Sequence, residues 1–185
     1  MRAFPPRLPE QPLFYPVLSH DYAREIAADW NTRTGKLAGY VTRFELNDRY
    51  AKQFAVHEVG GHARKELWIP AEQLDEMNRH ILGAIEVIEG YFGDNFVGVV
   101  PERGALAGKG AREQLEHLVD LARHKSSPEA YEEAVIDATE AVFAHSLFWE
   151  GLRNEGDDAL VELRTDALSE TRQAWRRLVP GVELG

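Results

Sequence analysis

Cysteine is absent from the chain. That excludes disulfides, thiol nucleophiles and thiolate-bound metals. Positive charge is scarce: 21 Lys and Arg stand against 31 Asp and Glu, a formal net charge of −10. A general nucleic-acid binder needs a net positive face, so the charge argues against that class and leaves room only for a local basic patch. Long apolar runs are missing, and none approaches the ~18 residues of a membrane span. The opening segment carries Pro5, Pro6, Pro9 and Pro12, which does not suit the apolar core of a secretory signal. These absences together predict a cytoplasmic protein with no membrane or nucleic-acid partner. No internal repeat or low-complexity tract occurs. What remains is ordinary globular material: 185 residues, 44% hydrophobic and 28% charged. A chain of that length buries roughly 70% of its unfolded surface and can form a real core.

The character of the sequence changes near residue 100. Residues 1–97 mix short β-like runs, Pro and Gly punctuation and two helical stretches. Residues 98–110, GVVPERGALAGKG, carry four glycines and a proline and read as a linker. Residues 111–185 read as helical. Charge follows the same division: 11 basic and 14 acidic residues in 1–97, but 10 and 17 in 98–185. The predicted fold class is α+β: a small mixed β-sheet domain followed by an all-α three-helix region.

Within the first half, Leu13–Val17 is an expected strand, with Pro16 marking an edge or an end. Ser19 is a good N-cap for a helix over His20–Trp30, whose apolar stripe includes Tyr22 and Trp30. Tyr40–Leu46 alternates as a half-buried strand does. Phe54–Val59, Glu66–Ile69 and Ile81–Ile88 are further strand candidates, and Pro70 opens a short helix through His80. In the second half, a helix spans Ala111–His124. Ser127-Pro128-Glu129 starts a second, expected to run unbroken to Arg153. Its seam is Tyr131, Val135, Ala138, Val142, His145, Trp149 and Leu152, at four-three spacing. A third helix runs from the Gly156 turn to Val179.

Several constellations invite a chemical reading. His57 and His62 resemble a metalloprotease pair, but they stand five apart with Gly60-Gly61 between them, whereas that motif needs two histidines four apart on a helix. His145 lies near Glu133, Asp137, Glu140 and Glu150, with His117 and Asp120 on the preceding helix. A carboxylate–histidine metal site draws on such groups from several helices, yet no Glu-x-x-His spacing occurs, so no metal is expected. Gly104, Gly108, Lys109 and Gly110 depart from phosphate-loop spacing. Glu66 is more suggestive. If it shares a strand face with Trp68, a carboxylate lies beside an aromatic platform, an arrangement that can stabilise positive charge on a sugar ring. The plainer alternative is an exposed edge glutamate.

The blocks RAFPPRLPEQPLFYPVLSHDYAREIAADW, GYVTRFEL and HARKELWIPAEQLDEMNRHILGAIEVIE resemble a family of small bacterial proteins labelled "ADP-ribosylation/crystallin". The resemblance covers about residues 1–92, and the element order is similar to an ADP-ribosyltransferase-like fold. It implies NAD as cofactor and either ADP-ribosyl transfer or NAD glycohydrolysis. Under it, Glu66 is the catalytic acid, Tyr15 stacks on nicotinamide and has a catalytic role, and Trp68 and Arg43 help hold NAD. Transferases of this type open with a strand bearing a ribose-holding His or Arg. The resemblance places that strand before Met1, with Arg2 or Arg7 as substitutes, so an inactive site is also an expectation. Two other readings stand beside it. One is a non-catalytic interaction module using the acidic helical half, through a protein partner or self-association. The other is a metal-dependent hydrolase built from His57, His62 or the helix acids.

Overall fold

A computed structural model describes residues 2–184. Two compact units emerge. The first holds residues 2–34 and Gly39–Tyr91; the second holds Gly35–Ala38 together with residues 92–184.

Local signals set the first unit's elements. β1 is Leu13–Phe14 and α1 is His20–Glu25, capped by Ser19, whose hydroxyl accepts from the Tyr22 N–H at 3.3 Å. The helix then widens into a π turn over Ile26–Trp30, closed by Asn31 N–H to the Ile26 carbonyl at 3.0 Å. β2 is Ala38–Leu46, and a short α2, Asp48–Ala51, is capped by Asn47. β3 (Val56–Glu58) and β4 (Lys65–Leu67) form a hairpin around the Gly60-Gly61 turn. β5 (Ile69–Pro70), α3 (Leu74–Arg79) and β6 (Ile81–Phe92) follow.

The expected mixed sheet is instead three small two-stranded ones: β1 with β5, β2 with β6, and β3 with β4. Periodicity marked the strands, but no local signal states which strand meets which. A core of Tyr50, Leu67, Ile69, Leu74 and Met77 lies among these elements. Ile69 and Met77 are wholly buried, so truncating either to Ala removes about 2–5 kcal/mol.

The second unit is helical: α4 (Ala111–Arg123), α5 (Pro128–Ile136), α6 (Thr139–Leu152) and α7 (Asp158–Leu178). Among the described residues four helices stand where three were expected, because the predicted long helix breaks at Asp137–Ala138. Ile136, Asp137 and Thr139 are all weak helix formers. The break also lets the Asp137 carboxylate reach Arg103 at 3.0 Å and pack against Gly104. The seam survives: Tyr131, Val135, Ala138, Val142, His145, Trp149 and Leu152 are all buried.

Residues 98–110 are not free connecting chain. Leu106 is wholly buried, the Val99 N–H donates to His145 Nε2 at 2.9 Å, and the Ala111 N–H donates to the Val97 carbonyl at 2.7 Å. The glycines there serve close approach instead. Gly98 sits at φ +76°, and any side chain on it would overlap the His145 ring. Among the described residues, no helix is long and apolar enough to cross a membrane.

Candidate functional site

Glu66 occupies the middle of a three-segment ladder. It faces His57 across the β3–β4 hairpin and Val17 on its other side. Leu18 N–H to the Lys65 carbonyl and Leu67 N–H to the Pro16 carbonyl, both 2.9 Å, flank the Val17 bridge. Successive strand residues point to opposite faces, so Glu66 and Trp68 share one face and Leu67 enters the core on the other.

On that shared face Glu66 is 8% exposed. The Tyr22 hydroxyl donates to Oε1 at 2.7 Å, and the Trp68 indole Nε1–H donates to Oε2 at 2.9 Å. Among the described residues no cationic group lies within 4.0 Å of the carboxylate. Its two side-chain hydrogen bonds therefore come from neutral donors. Burial, then the bond to Glu66 and its negative charge, push the Tyr22 phenol up to about 12. Arg64 lies 6.0 Å from the Tyr22 ring centroid, with its guanidinium paired to Glu25.

Aromatic rings surround the carboxylate. His57 stacks on Trp68 with centroids 4.0 Å apart and planes 10° from parallel. Tyr15 meets the same indole edge-on at 6.2 Å and 89°. Trp68 and Tyr15 keep 39% and 46% of their surface open to solvent.

The structure thus brings together Tyr15, Glu66 and Trp68, three of the four residues named from the sequence. Arg43, the fourth, does not touch this cluster. It is exposed on β2, bound to Glu86 at 2.6 Å, and lines a separate cleft. Two members of the cluster were missed. Tyr22 read as one residue of an apolar helix stripe, and only tertiary contact reveals its hydroxyl's role. His57 read as a half-formed metal ligand; its position opposite a glutamate, two residues from a tryptophan's register, was the available signal.

The other constellations are dispersed. His62 is almost fully exposed and binds Glu58 at 2.8 Å, while His57 stacks away from it. No group of three His, Cys, Asp or Glu suited to a metal occurs among the described residues. In the second unit Asp120, Glu132, Asp137 and Glu150 each pair with an arginine. His145 is held in a closed network. Its Nε2 accepts from Val99, its Nδ1 meets Gln114 Oε1 at 2.9 Å, and the Gln114 amide donates to the Val99 and Lys109 carbonyls.

No protein-family model, curated protein or solved structure matches this chain.

The Tyr22–Glu66 bond has a measurable consequence. Tyr22→Phe keeps the ring and leaves Oε1 buried without its donor. Such a loss costs about 1–3 kcal/mol. Urea unfolding at neutral pH is expected to show that decrease, and an unchanged midpoint would mean that water replaces the hydroxyl.

Proposed function

We propose that the chain acts on NAD at the Glu66 cluster, cleaving the ribosyl–nicotinamide bond by transfer to an acceptor or to water. The observation that carries this reading is the convergence of Glu66, Trp68 and Tyr15 on one face of the ladder. A carboxylate offers about four lone-pair sites, and neutral donors occupy two of Glu66's. They orient the group without cancelling its charge. An oxocarbenium-like ribose needs that property from its neighbour. Nicotinamide leaves with the electrons of the C–N bond, the ribosyl centre becomes positive, and Glu66 stabilises it until the acceptor oxygen or nitrogen attacks and loses its proton. The solvent-exposed parts of Trp68 and Tyr15, outside the His57 stack, suit the flat pyridinium, which is attracted to aromatic rings as other cations are.

The direct test is incubation of the full chain with NAD, with free nicotinamide quantified by chromatography and the melting temperature recorded. Time-dependent nicotinamide, at least tenfold reduced in Trp68→Ala, is the expected result. No nicotinamide and no rise in melting temperature at millimolar NAD would overturn the reading.

A further inference from the structure

The first unit contains a cleft of about 530 Å³, lined by Leu67 of β4 and not by Glu66. That volume falls in the range of ligand sites, but its walls are unusual. They include two runs of consecutive residues, Pro16–His20 and Val41–Phe44. Both runs are main chain with one edge already used. Val41–Phe44 lie in β2, and no strand other than β6 pairs with β2 among the described residues. Pro16–Leu18 bond to β4.

Val17 shows what the other edge presents. Its pairing with Glu66 is flanked by the Leu18–Lys65 and Pro16–Leu67 bonds. That makes it the position at which an antiparallel residue turns its own N–H and C=O away from its partner. Neither group has a main-chain partner among the described residues. An unpaired donor and acceptor at strand spacing call for a chain that supplies the reverse pattern.

The remaining lining defines the segment that fits. Val41 and Leu67 are buried at 3% and 7% exposure, and Leu46 and Ile88 lie with them. The two ionisable groups of the lining are compensated: Arg43 by Glu86, and His20 by Glu89 at 2.6 Å. The volume accommodates about three residues of extended chain at ordinary strand and sheet spacings. We propose that this cleft takes an extended, uncharged segment of another polypeptide, added as a strand between Val17 and Val41–Phe44 with an apolar side chain against Val41 and Leu67. Main-chain bonds supply the affinity and the apolar floor the selectivity. The cleft shares no residue with the Glu66 cluster, so the fate of the NAD reading does not affect it.

The test pans a random heptapeptide phage library against the full chain and titrates a synthetic enriched peptide by fluorescence anisotropy. Two variants accompany it. Ala23→Trp fills the cleft. Val17→Pro deletes the outward N–H while sparing the flanking bonds, which belong to Leu18 and Leu67. Enriched peptides with apolar residues at alternate positions, weakened at least tenfold by each variant, are expected. In the wild-type chain, peptide should also slow amide exchange at Val17 and within Val41–Phe44, a readout that needs no variant to fold. No enrichment, charged peptides without alternation, binding indifferent to both variants, or unchanged exchange at these amides would each overturn the proposal. So would a wild-type dimer that Ala23→Trp converts to monomer, which would assign the cleft to a second copy of this chain.

Discussion

Glu66→Gln is expected to lower nicotinamide release from NAD about a hundred- to a thousandfold while leaving the fold intact. The size follows from removing one electrostatic stabiliser of a transition state, worth about 2.7–4 kcal/mol. The fold survives because of the two partners. A glutamine can turn its carbonyl to the Trp68 N–H and its amide to the Tyr22 oxygen, since a phenol both donates and accepts. Both hydrogen bonds therefore persist, at the positions Tyr22 and Trp68 hold around Glu66, and only the charge is lost. Circular dichroism and melting temperature should match the wild type. Nicotinamide release that stays at the wild-type rate would remove Glu66 from the chemistry. Collapse of the fold would show that its charge, not its geometry, holds the ladder.

The second unit is expected to lose about 3 kcal/mol of stability between pH 6.5 and pH 4 through His145 alone. The ring is wholly buried, and burial lowers its pKa from 6.5 to about 4. The bonding agrees with that direction. Nε2 faces the Val99 N–H, a donor, so it must stay unprotonated, and the ring hydrogen sits on Nδ1 toward Gln114 Oε1. The sign follows from proton counting. In this window the unfolded chain holds a proton on His145 and the folded chain does not, so acid favours unfolding. Above pH 6.5 neither state is protonated and the effect vanishes. Urea titrations at several pH values, on wild type and His145→Gln, isolate it. The variant starts less stable but falls less steeply, because the carboxylates titrate alike in both chains. His117, pushed down by burial and then by Lys109, supplies part of the slope that remains. Parallel curves for the two chains would contradict the expectation.

Much of the helical half was legible because its signals are local. Seam residues from Tyr131 to Leu152 are buried as their spacing required, and Ser19 caps its helix as its side chain suggested. The break at Asp137 was not legible. Three weak helix formers lower the cost of a break, and the contacts Asp137 makes there, with Arg103 and Gly104, come from some thirty residues earlier. Residues 98–110 misled for a related reason. Glycine signals conformational freedom or close approach equally well, and only His145 beside Gly98 decides between them. At the candidate site, alternation correctly set Glu66 and Trp68 on one face. Alternation cannot say which helix covers that face, so Tyr22 was missed. Nor can it say that Arg43 pairs with Glu86.

The second unit's use of Gly35–Ala38 has a consequence for synthesis. The Leu37 carbonyl accepts from the Gly93 N–H at 2.9 Å, and Leu37 itself sits at φ +56°. That left-handed conformation costs a non-glycine residue roughly 1–2 kcal/mol. On the ribosome, residues 35–38 emerge with the first unit, long before the last helix. At about 5–20 residues per second, Leu37 waits several seconds for the rest of its own unit to be made. The Leu37 carbonyl therefore stays without its Gly93 partner until β6 has been made.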